Sequence, residues 1–303
     1  MKILDWNSIS EKKKLEISKS KSVFILAPSV ISKKKISQLV QKLSNKTKVI
    51  IGCAKESHVD GLSGEQFKLF NIKELSSVLN KIDVDILEYY QRDIKYIFSE
   101  LKFSAVIFIN GSWSRSLHLR EEFWTLLRNK TEYKLVSPFI NEQEAKKFAA
   151  EFEFNDYAIE IKNDTDAFKL VDGVKQHSFD WTGQVGAVLV KNNKIIAASC
   201  NTVIPYITYS MHFGASREKN FSPPSDQNFY DTNHAEVKLV LHCLKTKIDP
   251  SGSKLYINIL PCPTCARMLS ESGISEVIYK HDHSDGYAAK LFEGSGIKVT
   301  RYI

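Results

Sequence analysis

The chain has 303 residues, enough for one large domain or two ordinary ones, and its 43% hydrophobic and 25% charged residues are typical of a globular protein. No apolar run reaches the length of a membrane span, so a membrane partner is not expected. The start of the chain lacks the apolar core of a signal peptide, and five cysteines in a chain this long indicate a reducing compartment. These features predict a cytoplasmic location.

The net charge of +7 is unevenly distributed. Residues 1–150 carry 26 basic and 17 acidic side chains, whereas residues 151–303 carry 16 and 18. A basic first half could bind an anionic partner such as nucleic acid. The alternative is a lysine-rich solvated face, because no aromatic residues are interleaved with the lysine runs at 12–14 and 33–35. Both interpretations stay open.

Strands and helices alternate in the first half, which predicts a Rossmann-like α/β domain with a mainly parallel sheet over residues 1–155. Strands are predicted over residues 22–28, 48–52, 104–109 and 133–136, and helices over 33–43, 72–79, 85–101, 117–127 and 142–152. Ile36, Leu39, Val40 and Leu43, for example, share one helical face.

The stretch from Asn110 to Ser116 joins a predicted buried strand to a helix. Open α/β sheets bind ligands outside the carboxyl ends of their strands, and hydroxyl groups with one Arg at a helix start would suit a phosphate. Neither common glycine-rich nucleotide fingerprint is present. The alternative is an ordinary helix N-cap by Ser112 or Ser114.

The second half, residues 156–303, is predicted to form its own domain. A helix is expected from Ala167 to about Phe179, a hairpin over 183–190 and 195–200, strands over 254–260, 273–279 and 297–302, and a short helix over 288–292. Residues 202–232 are long, polar and aperiodic, and they lead directly into His234. We interpret this segment as a flap over the substrate.

Two short motifs carry the chemistry of the chain. Asn233-His234-Ala235-Glu236 and Pro261-Cys262-Pro263-Thr264-Cys265 each open an apolar, helix-like run. One His and two Cys give zinc three ligands and leave its fourth position open for water, as catalytic sites require. Pro261 and Pro263 both fit a first helical turn, and helix N-termini favour thiolates. The alternative is a closed structural site or a thiol pair, with His242 and Cys243 as the nearest spare ligands.

From about Asp166 to the end, the sequence resembles the cytidine deaminase-like superfamily, most closely its CMP/dCMP branch. The resemblance rests on residues 185–188, Asn201, both motifs, Gly273-Ile274 and the loop around Asp282. It implies a three-layer α/β/α domain that binds Zn²⁺ through His234, Cys262 and Cys265, with Glu236 transferring protons. It also implies that Asn201 binds the sugar, the Ala235 backbone holds the base, Ala187 shapes the pocket, and Arg217, Lys219 or His283 meets a phosphate. The run Ser199-Cys200-Asn201-Thr202 departs from the branch pattern.

Three functions are therefore open. Zinc would activate water to attack the base carbon bearing the amine, with Glu236 as the proton carrier. The expected reaction is conversion of cytosine to uracil in a CMP/dCMP-type nucleotide. The alternatives are deamination of cytosine or adenine within RNA or single-stranded DNA, with the first half docking the polymer, and a zinc-stabilised binding protein without turnover. A homo-oligomer is possible with each.

Overall fold

The structure is a computed structural model that describes residues 1–29, 32–79, 82–111, 121–157, 159–216 and 231–303. The chain divides into two compact units. The first holds the described parts of Met1–Ala149 and Thr208–Phe229, and the second holds those of Ala150–Ile207 and Tyr230–Ile303. A domain boundary at residue 155 stays a prediction.

The described strands are β1 Lys2–Asp5, β2 Val23–Ile25, β3 Val49–Ala54, β4 Asp85–Tyr89, β5 Ala105–Ile109, β6 Glu132–Val136, β7 Gly186–Lys191, β8 Lys194–Cys200, β9 Thr202–Val203, β10 Thr232–Asn233, β11 Lys254–Ile259, β12 Glu276–His281 and β13 Lys298–Arg301. The described helices are α1 Glu11–Lys19, α2 Lys33–Ser44, α3 Ile72–Leu79, α4 Ile94–Glu100, α5 Glu121–Arg128, α6 Glu142–Lys147, α7 Asp164–Lys175, α8 Tyr209–Phe213, α9 Ala235–Thr246, α10 Pro263–Ser270 and α11 Tyr287–Gly294. None of these helices combines the length and apolar character needed to cross a bilayer.

The first unit is built on a six-stranded parallel sheet in the order β1-β4-β3-β2-β5-β6. Helices α1, α4 and α5 pack on one face, and α2 and α3 pack on the other. Because both faces are covered, the central strands β2 and β3 are buried at every residue. The predicted Rossmann-like architecture is confirmed.

The helix predicted over residues 85–101 is wrong at its start, where residues 85–89 form β4. Leu87 and Tyr89 face one core and Ile86 faces the other. A strand buried on both faces gives an apolar run that periodicity does not distinguish from a helix. The helix predicted over 142–152 ends at Lys147, and Phe152 instead stacks on His177 in the second unit, with ring centroids 4.5 Å apart.

The second unit has a five-stranded sheet in the order β13-β12-β11-β7-β8. The β7–β8 and β7–β11 pairs are antiparallel, whereas β11, β12 and β13 run parallel. Helix α7 covers one face, and α9, α10 and α11 cover the other. This is the predicted three-layer α/β/α arrangement. Asn192 and Asn193 both have φ near +55°, as a two-residue hairpin turn requires (φ 53° and 59°).

Part of the long segment between Asn201 and His234 folds with the first unit. Within that unit, the Thr208 hydroxyl donates to the Ala145 carbonyl at 2.6 Å, and the His212 ring nitrogen Nδ1 lies 2.7 Å from the Ser137 hydroxyl. Residues 217–230 lie outside the described residues. The flap interpretation therefore stays a prediction, and so does the helix expected over 117–120.

Candidate metal centre

Two helices of the second unit begin at the predicted ligands. His234 is the N-cap residue of α9, and Cys262 is the N-cap residue of α10. Each has extended backbone angles, so the chain turns into the helix directly after the ligand. Pro263 occupies the first turn of α10, where no backbone N–H is needed. Pro261 precedes the N-cap, so the prediction that it also lies in that turn is wrong.

The three ligand atoms converge at one point. His234 Nδ1 lies 3.6 Å from Cys262 Sγ and 3.4 Å from Cys265 Sγ, and all three ligand atoms lie within 4.8 Å of one another. Tetrahedral zinc, with bonds of about 2.1 Å to nitrogen and 2.3 Å to sulfur, would hold such atoms about 3.6 Å apart. The residues present therefore fit a zinc ion.

No fourth His, Cys or carboxylate of the described residues joins this cluster. Both spare residues lie in α9: the Cys243 side chain is buried in the core, and His242 Nε2 pairs with the Tyr157 hydroxyl at 3.0 Å. Neither spare ligand considered for a closed site is used. Three ligands with one position left over match a catalytic centre better than a structural one.

The pKa shifts within the cluster favour a bound cation. Hydrogen bonds from Cys265 and then from His234 lower the pKa of Cys262 to about 3, which favours its thiolate. Bonding to Cys262 raises the pKa of His234, and bonding to Cys262 together with burial raises the pKa of Cys265. These shifts favour the thiolate of Cys262 and oppose that of Cys265. A bound divalent cation removes that penalty, since coordinating thiols are deprotonated.

Glu236 lies in the first turn of α9 and is only 3% exposed. Burial raises the pKa of its carboxyl group, and its own backbone N–H, the charge of His234 and a hydrogen bond with Cys265 partly offset this effect, in that order. The carboxyl group therefore lies against the ligand cluster. Buried carboxyl groups are costly unless they are paired or functional, and this one is placed to exchange protons with a molecule at the open position.

Ala187 and Ala235 belong to the same hydrophobic core of the second unit. Both are fully buried, Ala187 on β7 and Ala235 at the first residue of α9. The Ala235 carbonyl accepts a hydrogen bond from the Ser199 hydroxyl at 2.7 Å. Ala235 directly follows the candidate ligand His234, whereas the prediction that these alanines shape a pocket stays a prediction.

Asn201 is buried and its amide is engaged within the second unit. Its Oδ1 accepts from the Val185 N–H at 2.9 Å, and its Nδ2 donates to the Gly183 carbonyl at 2.8 Å and to Asp180 at 3.2 Å. Asp180, which sequence reasoning missed, also accepts from the Thr232 hydroxyl at 2.9 Å. Its carboxylate thus ties Asn201 to the strand that leads into His234.

The remaining predicted substrate residues are not brought to the cluster by any described contact. His283 is exposed in the loop after β12, where its Nδ1 pairs with the neighbouring Ser284 hydroxyl at 2.7 Å. Arg217 and Lys219 lie outside the described residues. The sequence could have indicated only a local turn at Asp180, because Asp side chains commonly accept from the backbone N–H two residues on. Its Oδ1 does accept from the Thr182 N–H at 2.8 Å.

A three-layer α/β/α unit with a His/Cys/Cys cluster and a buried carboxyl group beside it has the arrangement of the zinc-dependent base deaminases. The family described as the cytidine and deoxycytidylate deaminase zinc-binding region matches residues 162–281. The deoxycytidylate deaminase of Pongo abelii is 30% identical over 139 residues, which cover 42% of this chain and 72% of that protein. The chain belongs to the cytidine and deoxycytidylate deaminase family.

Other relatives cover the same half. ComE operon protein 2 of Bacillus subtilis (strain 168) is 29% identical over 116 residues, which cover 38% of this chain and 58% of that protein. The crystal structure of a dCMP deaminase from the cyanophage S-TIM5, in complex with dCMP and dUMP, is 21% identical. It covers 46% of this chain and 96% of that one, with a TM-score of 0.36.

Proposed function

We propose that this protein is a zinc-dependent cytoplasmic enzyme that converts cytosine to uracil in a CMP- or dCMP-type nucleotide. The observation that carries the proposal is the convergence of His234, Cys262 and Cys265 within 4.8 Å, with the buried Glu236 beside them. Relatives named as deoxycytidylate deaminases support the choice of cytosine and of a nucleotide.

In this proposal, three residues bind the metal and a fourth transfers protons. His234, Cys262 and Cys265 would hold the zinc ion, which supplies Lewis acidity that makes water nucleophilic near neutral pH. Glu236 accepts a proton from the attacking water and passes it to the ring nitrogen N3, and then transfers the remaining proton of the new C4 hydroxyl to the amine. The C4–N bond breaks, ammonia leaves and a carbonyl remains at C4. A carboxyl group suits this task because it can both accept and donate a proton.

The backbone around the centre would position the substrate. Ala187 and Ala235 would shape the base pocket, since both side chains are small, and the Ala235 backbone would hold the base. Asn201 would contact the sugar only after giving up one of its present hydrogen bonds to Asp180 or Gly183. In this proposal, the hydrogen bonds within the protein orient the Asn201 amide. Substrate binding replaces one of them with a hydrogen bond to the sugar.

The test is ammonia release from dCMP and CMP by the zinc-loaded protein. Glu236→Gln should lower turnover by about 10²-fold or more, while the zinc content stays at that of the wild type. Glu271→Gln is the matched control, because Glu271 is an exposed carboxylate just after α10 and should change nothing. Loss of zinc from Glu236→Gln would contradict its role as a non-ligand.

The substrate panel should include cytosine-containing RNA and single-stranded DNA. If only a polymer is deaminated, the nucleotide proposal is wrong and the basic first half becomes the docking surface. Affinity for such a polymer would then fall steeply with salt, roughly in proportion to the phosphates neutralised. Turnover of free dCMP or CMP, with little dependence on salt, supports the proposal.

A further inference from the structure

The strand order of the first unit reverses at β2. From β2 the chain continues to β3 and β4 on one side, and it returns to β5 and β6 on the other. Open α/β sheets bind ligands at such a reversal, in the crevice outside the carboxyl ends of the two strands that flank it. Here those ends lead into Ser29 after β2 and into Asn110 and Gly111 after β5. The deaminase function proposed above uses none of these residues.

Two polar atoms at this crevice are buried without a partner. Ser29 is 2% exposed and Asn110 is 6% exposed, and among the described residues neither Ser29 Oγ nor Asn110 Oδ1 has a hydrogen-bond partner. Ser29 Oγ faces β5, because a methyl group added to Gly111 would lie 3.8 Å from it. Unpaired buried polar atoms are costly, and folded proteins keep them where a ligand or ion completes the bonding.

The helix that follows β2 adds positive charge. The first turn of α2, a helix of 12 residues, holds Lys33, Lys34 and Lys35 and no acidic residue. Cations are unfavourable at a helix N-terminus, where the helix dipole is already positive. Lys33 and Lys34 are exposed, and no ion pair joins either to a described residue. The N-cap Ser32 hydroxyl already accepts from the Lys35 N–H and donates to Glu144 at 2.6 Å, so an anion bound here would act mainly on Lys33 and Lys34.

His212 relates Asn110 to the first turn of α2, which holds Lys35. The Asn110 amide nitrogen donates to the His212 carbonyl at 3.3 Å, which leaves Oδ1 as the free end of that amide. Burial lowers the pKa of His212, and the nearby charge of Lys35 lowers it further, against the opposing charge of Glu142. The positive turn, the free carbonyl oxygen and the buried hydroxyl therefore belong to one region of the first unit.

We propose that the carboxyl edge of this sheet binds a phosphorylated sugar, as a nucleotide carries. A sugar hydroxyl donates to Asn110 Oδ1, a second bonds to Ser29 Oγ, and the phosphate lies at the first turn of α2. A bare anion does not fit, because the free oxygen of Asn110 is an acceptor and needs a donor from the ligand. This site is independent of the proposed deaminase reaction.

The test is titration calorimetry of the full-length, zinc-loaded protein with ribose 5-phosphate and with AMP. Both probes share a sugar phosphate with a nucleotide substrate, so the Ser29 and lysine variants described next, which all lie in the first unit, assign any binding to this edge rather than to the deaminase centre. Ser29→Ala should weaken binding about tenfold or more, the effect of one lost hydrogen bond in a polar site, while its melting temperature without ligand stays the same or rises. The second result shows that the variant is folded.

A pair of double variants tests the phosphate. Lys33→Ala with Lys34→Ala should weaken binding and flatten its salt dependence. Lys42→Ala with Lys46→Ala, at the other end of the same helix, removes equal charge and should leave binding unchanged. The proposal is overturned if neither probe binds, if Ser29→Ala binds as tightly as the wild type, if the two lysine pairs behave alike, or if inorganic phosphate binds as tightly as ribose 5-phosphate.

Discussion

Gly186 is the residue of the second unit at which a single methyl group should do the most damage. It begins β7, and a Cβ there would lie 2.4 Å from the Val171 carbonyl oxygen and 2.9 Å from the Lys175 backbone nitrogen. Both of these atoms are backbone atoms at or near the end of α7. They do not rotate away as a side chain would, so the helix itself has to move.

The size of the effect follows from those distances. Ordinary contact begins at 3.4 Å, so α7 must withdraw by roughly 1 Å to accept the methyl group. That movement loosens Ala167, Phe168, Val171 and Val174, which α7 buries against the sheet. Overpacking in a filled core costs about 1–3 kcal/mol, and we expect Gly186→Ala to lie near 3 kcal/mol because only backbone is available to yield. The melting temperature of the unit should fall by roughly 10 °C.

Gly173 in α7 provides the matched control. A Cβ at Gly173 meets nothing within 4 Å, and the residue is exposed. Gly173→Ala should stabilise the helix by up to about 1 kcal/mol, because alanine loses less backbone entropy on folding. Both variants are compared by thermal and urea unfolding followed by circular dichroism. If Gly186→Ala melts within about 1 °C of the wild type, α7 and β7 are not in the close contact described, and the reasoning fails.

Three further outcomes are expected. Asp180→Asn should lower the free energy of unfolding in urea by about 2 kcal/mol, because Asn201 loses a charged acceptor; an unchanged midpoint would show that the carboxylate is dispensable. Burial raises the pKa of Glu276, but bonds from Lys298 and Lys254 lower it more, to a net pKa below the usual value. The ionised Glu276 therefore stabilises the fold above pH 4.5, and this stabilisation is lost as the pH falls through the lowered pKa. In Glu276→Gln, the free energy of unfolding should fall by about 1 kcal/mol less on acidification than in the wild type. Parallel curves of unfolding free energy against pH for the two proteins would contradict this. Chelation should lower the melting temperature of the second unit and added Zn²⁺ should restore it; no shift would contradict the metal centre.

The three side chains of the candidate metal centre could be located from the sequence because their pattern is local. A His or Cys directly before an apolar helical run becomes an N-cap residue, and the intervening strand brings the two helix starts together. Strand–helix alternation likewise predicted the parallel sheet of the first unit. The role of Asp180 could not be found in this way. Its partners Asn201 and Thr232 are distant in sequence, and only the folded sheet brings them to one carboxylate.

The strand β4 and the helix α8 show two other limits of the sequence. Periodicity cannot distinguish a strand that is buried on both faces from a helix. Residues 85–89 were therefore predicted to be helical, although they form a strand. Residues 202–232 are aperiodic, so the sequence predicted neither α8 nor the burial of Met211, which is only 1% exposed. The partners of α8, among them Ala145 and Ser137, precede it by more than 60 residues.

The position of α8 has a consequence for biosynthesis. A ribosome completes the sheet of the first unit at Val136 and helix α6 at Lys147, yet the residues that bond to Ala145, Ser137 and Asn110 emerge only from Thr208 onward. Domains generally fold as units in order of synthesis. Here the nascent first unit has to wait, with those groups uncovered, while residues 150–207 of the second unit are translated, so the two units mature in overlapping rather than successive intervals.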